Sequence, residues 1–374
     1  LKLPRVALLI VLAVVGGTLY FAPRYLRAAG LLLRFADPDS HSRLARFGTH
    51  ELEVRELSLD GPHGPIPARL YLPKDVSNAP GVVMLHGVHR LSIDEPRLVR
   101  FARAIAATGA VVLTPAIAEI AGYRVDPASI DTIGVAANKL AEVQHQPVGI
   151  IGMSFGGGLA LLAAADPHYA SSIGLVLSIG GHDDMKRVAR FFATGIADEP
   201  SGPPLHMKAH PYGALVLAHA NADGFFPPAD IDDAQAALSA WLGERWDEAK
   251  AHAAKLSPPS RTLVEHLFAG TIDQDRQQFL DAIDRVSDKM LRISPHDHVA
   301  ALTARVFILH GAADTVIPPS EADWLLHDLP PAAHTTLLVT PALGHVELAG
   351  VPTLREQIAL VRFMANALTA LGVQ

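Results

Sequence analysis

Residues 147–158, Pro-Val-Gly-Ile-Ile-Gly-Met-Ser-Phe-Gly-Gly-Gly, constrain the fold more than any other stretch of the chain. An apolar run leads in, and Leu159-Ala160-Leu161-Leu162-Ala163-Ala164-Ala165 leads out. The first half has the length of a buried strand and the second reads as a buried helix. Ser154 lies between them in a Gly-x-Ser-x-Gly pattern. A serine pinched between strand and helix occupies a sharp turn that exposes its hydroxyl, and the flanking glycines let neighbouring backbones close on one another. The helix that follows presents unpaired N–H groups and its positive dipole end, a setting suited to an oxyanion. The bare pattern also describes a plain glycine turn. The strand before it and the helix after it are what make Ser154 a candidate nucleophile.

Whether that candidate has partners depends on the rest of the chain. Its 374 residues, 49% hydrophobic and 18% charged, are enough for one large α/β domain with an insertion, or for two domains. A formal net charge of −7 argues against a nucleic-acid partner. The absence of cysteine removes thiolate catalysis, disulfides and cysteine-based metal sites.

The apolar run from Val6 to Ala22 is flanked by Lys2, Arg5, Arg24 and Arg27. Its length is at the lower limit of a spanning helix, and Tyr20, Phe21 and Tyr25 resemble an interfacial aromatic belt. Residues 1–35 are therefore expected to form a membrane anchor or a signal-like helix. Two other readings stay open: a cleaved secretory signal, which would make the protein secreted or periplasmic, and a buried helix of the main domain. Residues 28–35 either lie along the membrane or pack on the domain.

A first core segment is expected over residues 36–181. Residues 51–59 alternate as a half-exposed strand should, with 66–72 as the hairpin partner. The continuous apolar run from Gly81 reads as a central parallel strand and ends in His86-Gly87. The N–H groups of Val88 and Phe155 are the expected oxyanion donors. His86 reads as a residue that holds its loop by hydrogen bonds, not as a base. Helix 96–107, strand 110–115, a helix from 126 to 140, the strand before Ser154 and a strand at 172–181 complete an alternation that predicts a mostly parallel central sheet with helices on both faces.

Residues 182–303 are too long for a connection and are expected to be a helical cap insertion, with helices over 185–194, 231–242, 244–254, 260–268 and 273–291. Phe191, Phe192, Tyr212, Phe225, Phe226 and Trp241 are candidates to line an acyl pocket, although buried aromatics are more often plain core. The insertion is rich in histidine, yet no pair has helix-spaced ligand geometry, and no metal is expected. The second core segment, 304–374, has a strand at 304–310, Asp314 in the following loop, a helix at 321–329, a strand at 335–340 and His345 just beyond it.

His-Gly at 86–87, Gly-Met-Ser-Phe-Gly at 152–156, His-Gly-Ala-Ala-Asp-Thr-Val-Ile-Pro at 310–318 and Gly-His at 344–345 resemble the α/β-hydrolase superfamily, with its order of nucleophile, acid and histidine. The resemblance covers roughly residue 50 to the C-terminus. Its front half is similar to esterases and prolyl-oligopeptidase-like hydrolases. It implies the α/β-hydrolase fold, a triad of Ser154, Asp314 and His345, and an oxyanion hole at Val88 and Phe155. Some members take the acid from the strand that here ends near Asp183 and Asp184. The expected activity is hydrolysis of carboxylic esters through an acyl-enzyme, with no cofactor, on a small-molecule ester that could carry a hydrophobic acyl chain. A peptidase, thioesterase or acyltransferase would use the same triad, and a non-catalytic membrane-associated binding protein is the reading from another class. The sequence leaves the oligomeric state open.

Overall fold

The apolar runs form the centre of the molecule, which a computed structural model describes over residues 22–347 and 349–373. Ten strands occur among the described residues: β1 (Leu52–Gly61), β2 (Gly64–Pro73), β3 (Gly81–Leu85), β4 (Val111–Pro115), β5 (Val148–Met153), β6 (Ile173–Ile179), β7 (Ile196–Ala197), β8 (Leu205–His206), β9 (Arg305–Gly311) and β10 (Thr336–Thr340). Eight form one sheet in the order β1-β2-β4-β3-β5-β6-β9-β10. The β1–β2 and β2–β4 pairings are antiparallel, and every pairing from β4 to β10 is parallel. Every residue of β3, β4 and β5 is buried, which is why these strands carry almost no polar side chains.

Alternation along each strand divides the core in two. Val83, Leu85, Ile150 and Ile308 face the helices Ala128–Gln144 and Phe155–Ala165. Val82, Met84, Ile151, Met153 and Leu309 face the opposite way, onto Pro96–Ala106 and Leu354–Ala370. Parallel strands place all their C-terminal ends on one edge, so the loops after β3, β5, β9 and β10 gather there.

The second face has a third helix, over residues 22–36. Ala28 and Leu31 are fully buried on it, and Phe35 meets Phe101 at a ring separation of 5.1 Å. The Arg34 guanidinium donates to the carbonyls of Ala45 (2.5 Å) and Ala104 (3.3 Å), and burial lowers its pKa to about 10. Residues 28–35 thus pack on the domain, and residues 22–35, expected to belong to an anchor, are part of the folded body. Residues 1–21, which hold all but the last residue of the apolar run expected to span the membrane, lie outside the described residues. Among the described residues no helix is long and apolar enough to cross a membrane.

Between β6 and β9 the chain forms the helices Met185–Thr194, Pro211–Ala220, Ile231–Leu242, Trp246–Ala253, Pro258–Ala269 and Arg276–Arg285. Phe191, Leu217, Leu238, Leu263 and Phe279 join them to the first face of the sheet. The expected helix over 273–291 is broken: a short 3-10 turn precedes Arg276, and a new helix starts at Ser287. At the second break the Arg285 side chain donates twice to the Gly224 carbonyl (2.9 and 2.8 Å), so tertiary contact overrides the helical pattern. The Pro211–Ala220 helix was not expected, because Ala-Leu-Val-Leu reads equally well as strand or helix. Its start is fixed by Pro211 in the first turn and by the His210 ring, which accepts from the Tyr212 N–H.

If the 22–36 helix is part of the core, Leu31→Ala should cost about 2–5 kcal/mol of unfolding free energy, as buried leucine truncations do. Urea denaturation of the full chain measures this, and a loss under about 0.5 kcal/mol would mean the helix is only laid on the surface.

Candidate active site

Ser154 lies between the end of β5 at Met153 and the helix that begins at Phe155, with φ 55° and ψ −136°. A side chain at positive φ is strained, and here the surroundings hold it. Its N–H donates to the Ile179 carbonyl at 2.8 Å, which ties the turn to the end of β6. A Cβ at position 152 would overlap the Gly156 carbonyl, and one at position 156 would stand 3.2 Å from the His86 carbonyl. Both glycines of the pattern are therefore set by backbone approach.

The structure brings Ser154, His345 and Asp314 together. His345 Nε2 is 2.7 Å from Ser154 Oγ, and His345 Nδ1 is 2.7 Å from Asp314 Oδ2. The loop bearing His345 reaches this position because a Cβ on Gly311 would overlap the Gly344 carbonyl, and Gly180, at φ +61°, leaves room beside the His345 carbonyl. Asp314 is fully buried. Burial pushes its carboxyl up, but the adjacent His310 ring (3.5 Å) and the hydrogen-bonded His345 outweigh it and hold the pKa at about 2. The N–H groups of Val316 (2.9 Å) and Ile317 (3.0 Å) donate to its other oxygen. An ionised Asp314 requires the proton of neutral His345 to sit on Nδ1, which leaves Nε2 free to accept from the serine hydroxyl.

Ser154 and His345 open into a cavity of about 220 Å³ that Gly87, Val88 and Val316 also line. Phe155 is the first residue of its helix, so its N–H has no acceptor within the helix. Val88, the other expected donor, is held through its carbonyl by the Tyr212 hydroxyl, which donates at 2.5 Å from the insertion. Burial pushes the Tyr212 pKa up, so the phenol stays a neutral donor. Of the six aromatics proposed from the sequence for an acyl pocket, Tyr212 lines this cavity. Phe192 lines a separate one of about 620 Å³, Phe191, Phe225 and Phe226 are core, and Trp241 stacks on Phe268 at 4.0 Å.

Two further histidines brace the site. Fully buried His86 accepts the Ile117 N–H at Nε2 (3.1 Å), so Nδ1 carries the proton and donates to the Gly87 carbonyl (2.9 Å). That fixes the loop leading to Val88. His182, also fully buried, packs its ring against Phe155 at 5.5 Å and donates from Nε2 to the Ile293 carbonyl (2.8 Å). Burial lowers the pKa of each to about 4.

The alternative acids are engaged elsewhere. Asp183 pairs with Arg187 at 2.9 Å, and Asp184 caps the Met185–Thr194 helix. Asp183, His296 and Asp328 bring potential metal-ligand atoms within 4.8 Å of one another. Arg187 pairs there with both Asp183 and buried Glu321 (2.9 and 2.6 Å), and His296 is hydrogen-bonded to Asp328 at 2.5 Å.

No protein-family model matches the sequence, and no curated protein matches it. Solved structures do. An acylaminoacyl peptidase from Pyrococcus horikoshii aligns at 11% identity over 85% of this chain and 41% of its own, with a TM-score of 0.52. A puromycin hydrolase aligns at 15% identity over 90% of this chain and 41% of its own, with a TM-score of 0.51. The chain has the α/β-hydrolase fold. It spans about two-fifths of those two proteins. An esterase from Pyrobaculum calidifontis also aligns, at 17% identity over 94% of this chain and 92% of its own, with a TM-score of 0.47.

Sequence reasoning offered Tyr212 only as a pocket aromatic and missed its hold on the Val88 carbonyl, and it missed Gly180 and the place of His310 beside Asp314. Pro211 after a capping residue was the available signal for the helix that carries Tyr212.

The two buried histidines make stability acid-sensitive with a defined sign. Their folded pKa of about 4 lies below the ordinary value of 6.5, so the unfolded chain takes up more protons between these limits. Their contribution is complete above pH 6.5 and is lost as pH falls towards 4, at about 1.4 kcal/mol per histidine by pH 5.5. Urea denaturation at pH 7.5 and 5.5 should show His182→Gln losing about 1.4 kcal/mol less than the parent on acidification. An equal loss in both would contradict this assignment.

Proposed function

We propose that the protein is a serine hydrolase that cleaves carboxylic esters through an acyl-enzyme. The observation that carries this reading is the unbroken hydrogen-bonded chain from Ser154 through His345 to Asp314 at the floor of a cavity. Ser154 Oγ attacks the ester carbonyl while His345 Nε2 takes its proton. Asp314 keeps the imidazole oriented and stabilises the imidazolium that forms. The oxyanion is held by the N–H groups of Val88 and Phe155, both fixed before substrate arrives. As the tetrahedral intermediate collapses, the C–O bond to the leaving alcohol breaks and His345 returns the proton to it. Water then attacks the acyl-enzyme while His345 takes its proton; as the second intermediate collapses, the acyl carbon–Oγ bond breaks, His345 returns the proton to Ser154 Oγ and the acid product leaves.

Burial of Asp314, with three donors on its carboxylate and the His310 ring 3.5 Å away, supports a catalytic acid that stays charged as His345 cycles between its two forms. Neutral His86 supports the oxyanion loop without competing as a base.

The test is turnover of p-nitrophenyl butyrate together with labelling by a fluorophosphonate probe. Ser154→Ala should abolish labelling and cut kcat by a factor on the order of 10⁴–10⁶. Asp314→Asn should cut it by about 10⁴, while Asp183→Asn and Asp184→Asn stay close to the parent. Parent-like turnover in Ser154→Ala would remove the proposed nucleophile, and parent-like turnover in Asp314→Asn would remove the proposed acid.

A further inference from the structure

On the face of the sheet opposite the helical insertion lies a second cavity, of about 370 Å³. The 22–36 helix roofs it with Ala29, Leu32 and Leu33, and the Leu354–Ala370 helix closes its side with Leu360 and Val361. Gln357 is the one polar residue among those lining it, and none of them is charged. Its volume falls within the roughly 300–1,000 Å³ of ordinary ligand sites. A lining of this kind has little to offer a polar ligand beyond one amide and favours hydrocarbon, whose transfer from water it would reward.

This cavity is next to the triad. Met153 and Val346 line both it and the Ser154 cavity. Met153 directly precedes the nucleophile, and its side chain belongs to the second face of the core. Val346 directly follows His345. The partition between the two spaces is thus formed by the residues adjoining the two reacting groups, and the flexible thioether of Met153 is well suited to shift aside for a chain.

We propose that this cavity takes the hydrocarbon chain of the acyl group, so that the enzyme acts on long-chain acyl esters. The chain leaves the acyl carbon at Ser154, passes between Met153 and Val346, and lies beneath the 22–36 helix, away from the insertion. The proposal rests on the serine-hydrolase reading for its chemistry and on the apolar cavity for its substrate class.

The test profiles the full-length protein on p-nitrophenyl esters from acetate to laurate. In parallel, the fluorescence of cis-parinaric acid measures binding to Ser154→Ala, which needs no catalysis. The parent should gain in kcat/KM with chain length, at most about fourfold per methylene. Ala29→Trp and Val361→Trp fill the cavity from two different helices, so failure of one to fold leaves the other. Each should lower the laurate-to-acetate ratio of kcat/KM at least tenfold, and, combined with Ser154→Ala, should weaken parinarate binding by a similar factor. Cleavage of short esters with no gain from length, and ratios unmoved by both tryptophans, would overturn the channel and leave the hydrolase reading intact. Parinarate binding that the tryptophans abolish, with no ester cleaved at any length, would uphold the channel as a hydrocarbon site and overturn the hydrolase reading.

Discussion

A carboxylate buried without a paired cation is costly, and the C-terminal end of this sheet is arranged around the groups that make one tolerable at Asp314. Two backbone N–H groups and two histidine side chains surround it, and together they outweigh the burial that would otherwise protonate it. The loop after β9 must curl to deliver the N–H groups of Val316 and Ile317. The loop after β10 must come close enough for His345, which Gly311 and Gly180 allow. Once the charge is fixed, the tautomer of His345 follows, and with it the lone pair that faces Ser154.

The same economy of approach operates at the serine. The positive φ of Ser154 is strain that the Ile179 carbonyl and the tight Gly152–Gly156 contact hold in place. His86 and His182 support the two sides of this turn from fully buried positions, each neutral and each spending its ring proton on a backbone carbonyl. They are fully buried, whereas His345 is half-buried and borders the cavity.

The strands and the glycine-flanked turn were legible in the sequence because each combines a period with a boundary: an apolar run that stops at a glycine. The loops after β9 and β10 were legible as carriers of Asp314 and His345 through chain order, but order alone could not exclude Asp183 or Asp184. The partners of those residues, Arg187 and the first turn of the Met185–Thr194 helix, come from contacts with no signature along the chain. The Pro211–Ala220 helix was missed because its apolar stretch has no period to read. For residues 22–35 hydropathy could not tell a lipid neighbour from a protein one. The buried Ala28 and Leu31, and the reach of Arg34 to two carbonyls, are what place that stretch against the sheet.

The contact from the Tyr212 hydroxyl to the Val88 carbonyl joins two parts of the chain more than a hundred residues apart. It makes the insertion a structural support of the loop after β3, not only a cover over it. A related chain could therefore not exchange this insertion as an independent module and keep that loop in place. A replacement would have to supply a donor at the same point or leave the loop after β3 without its brace, so the insertion and the loop are bound to change together.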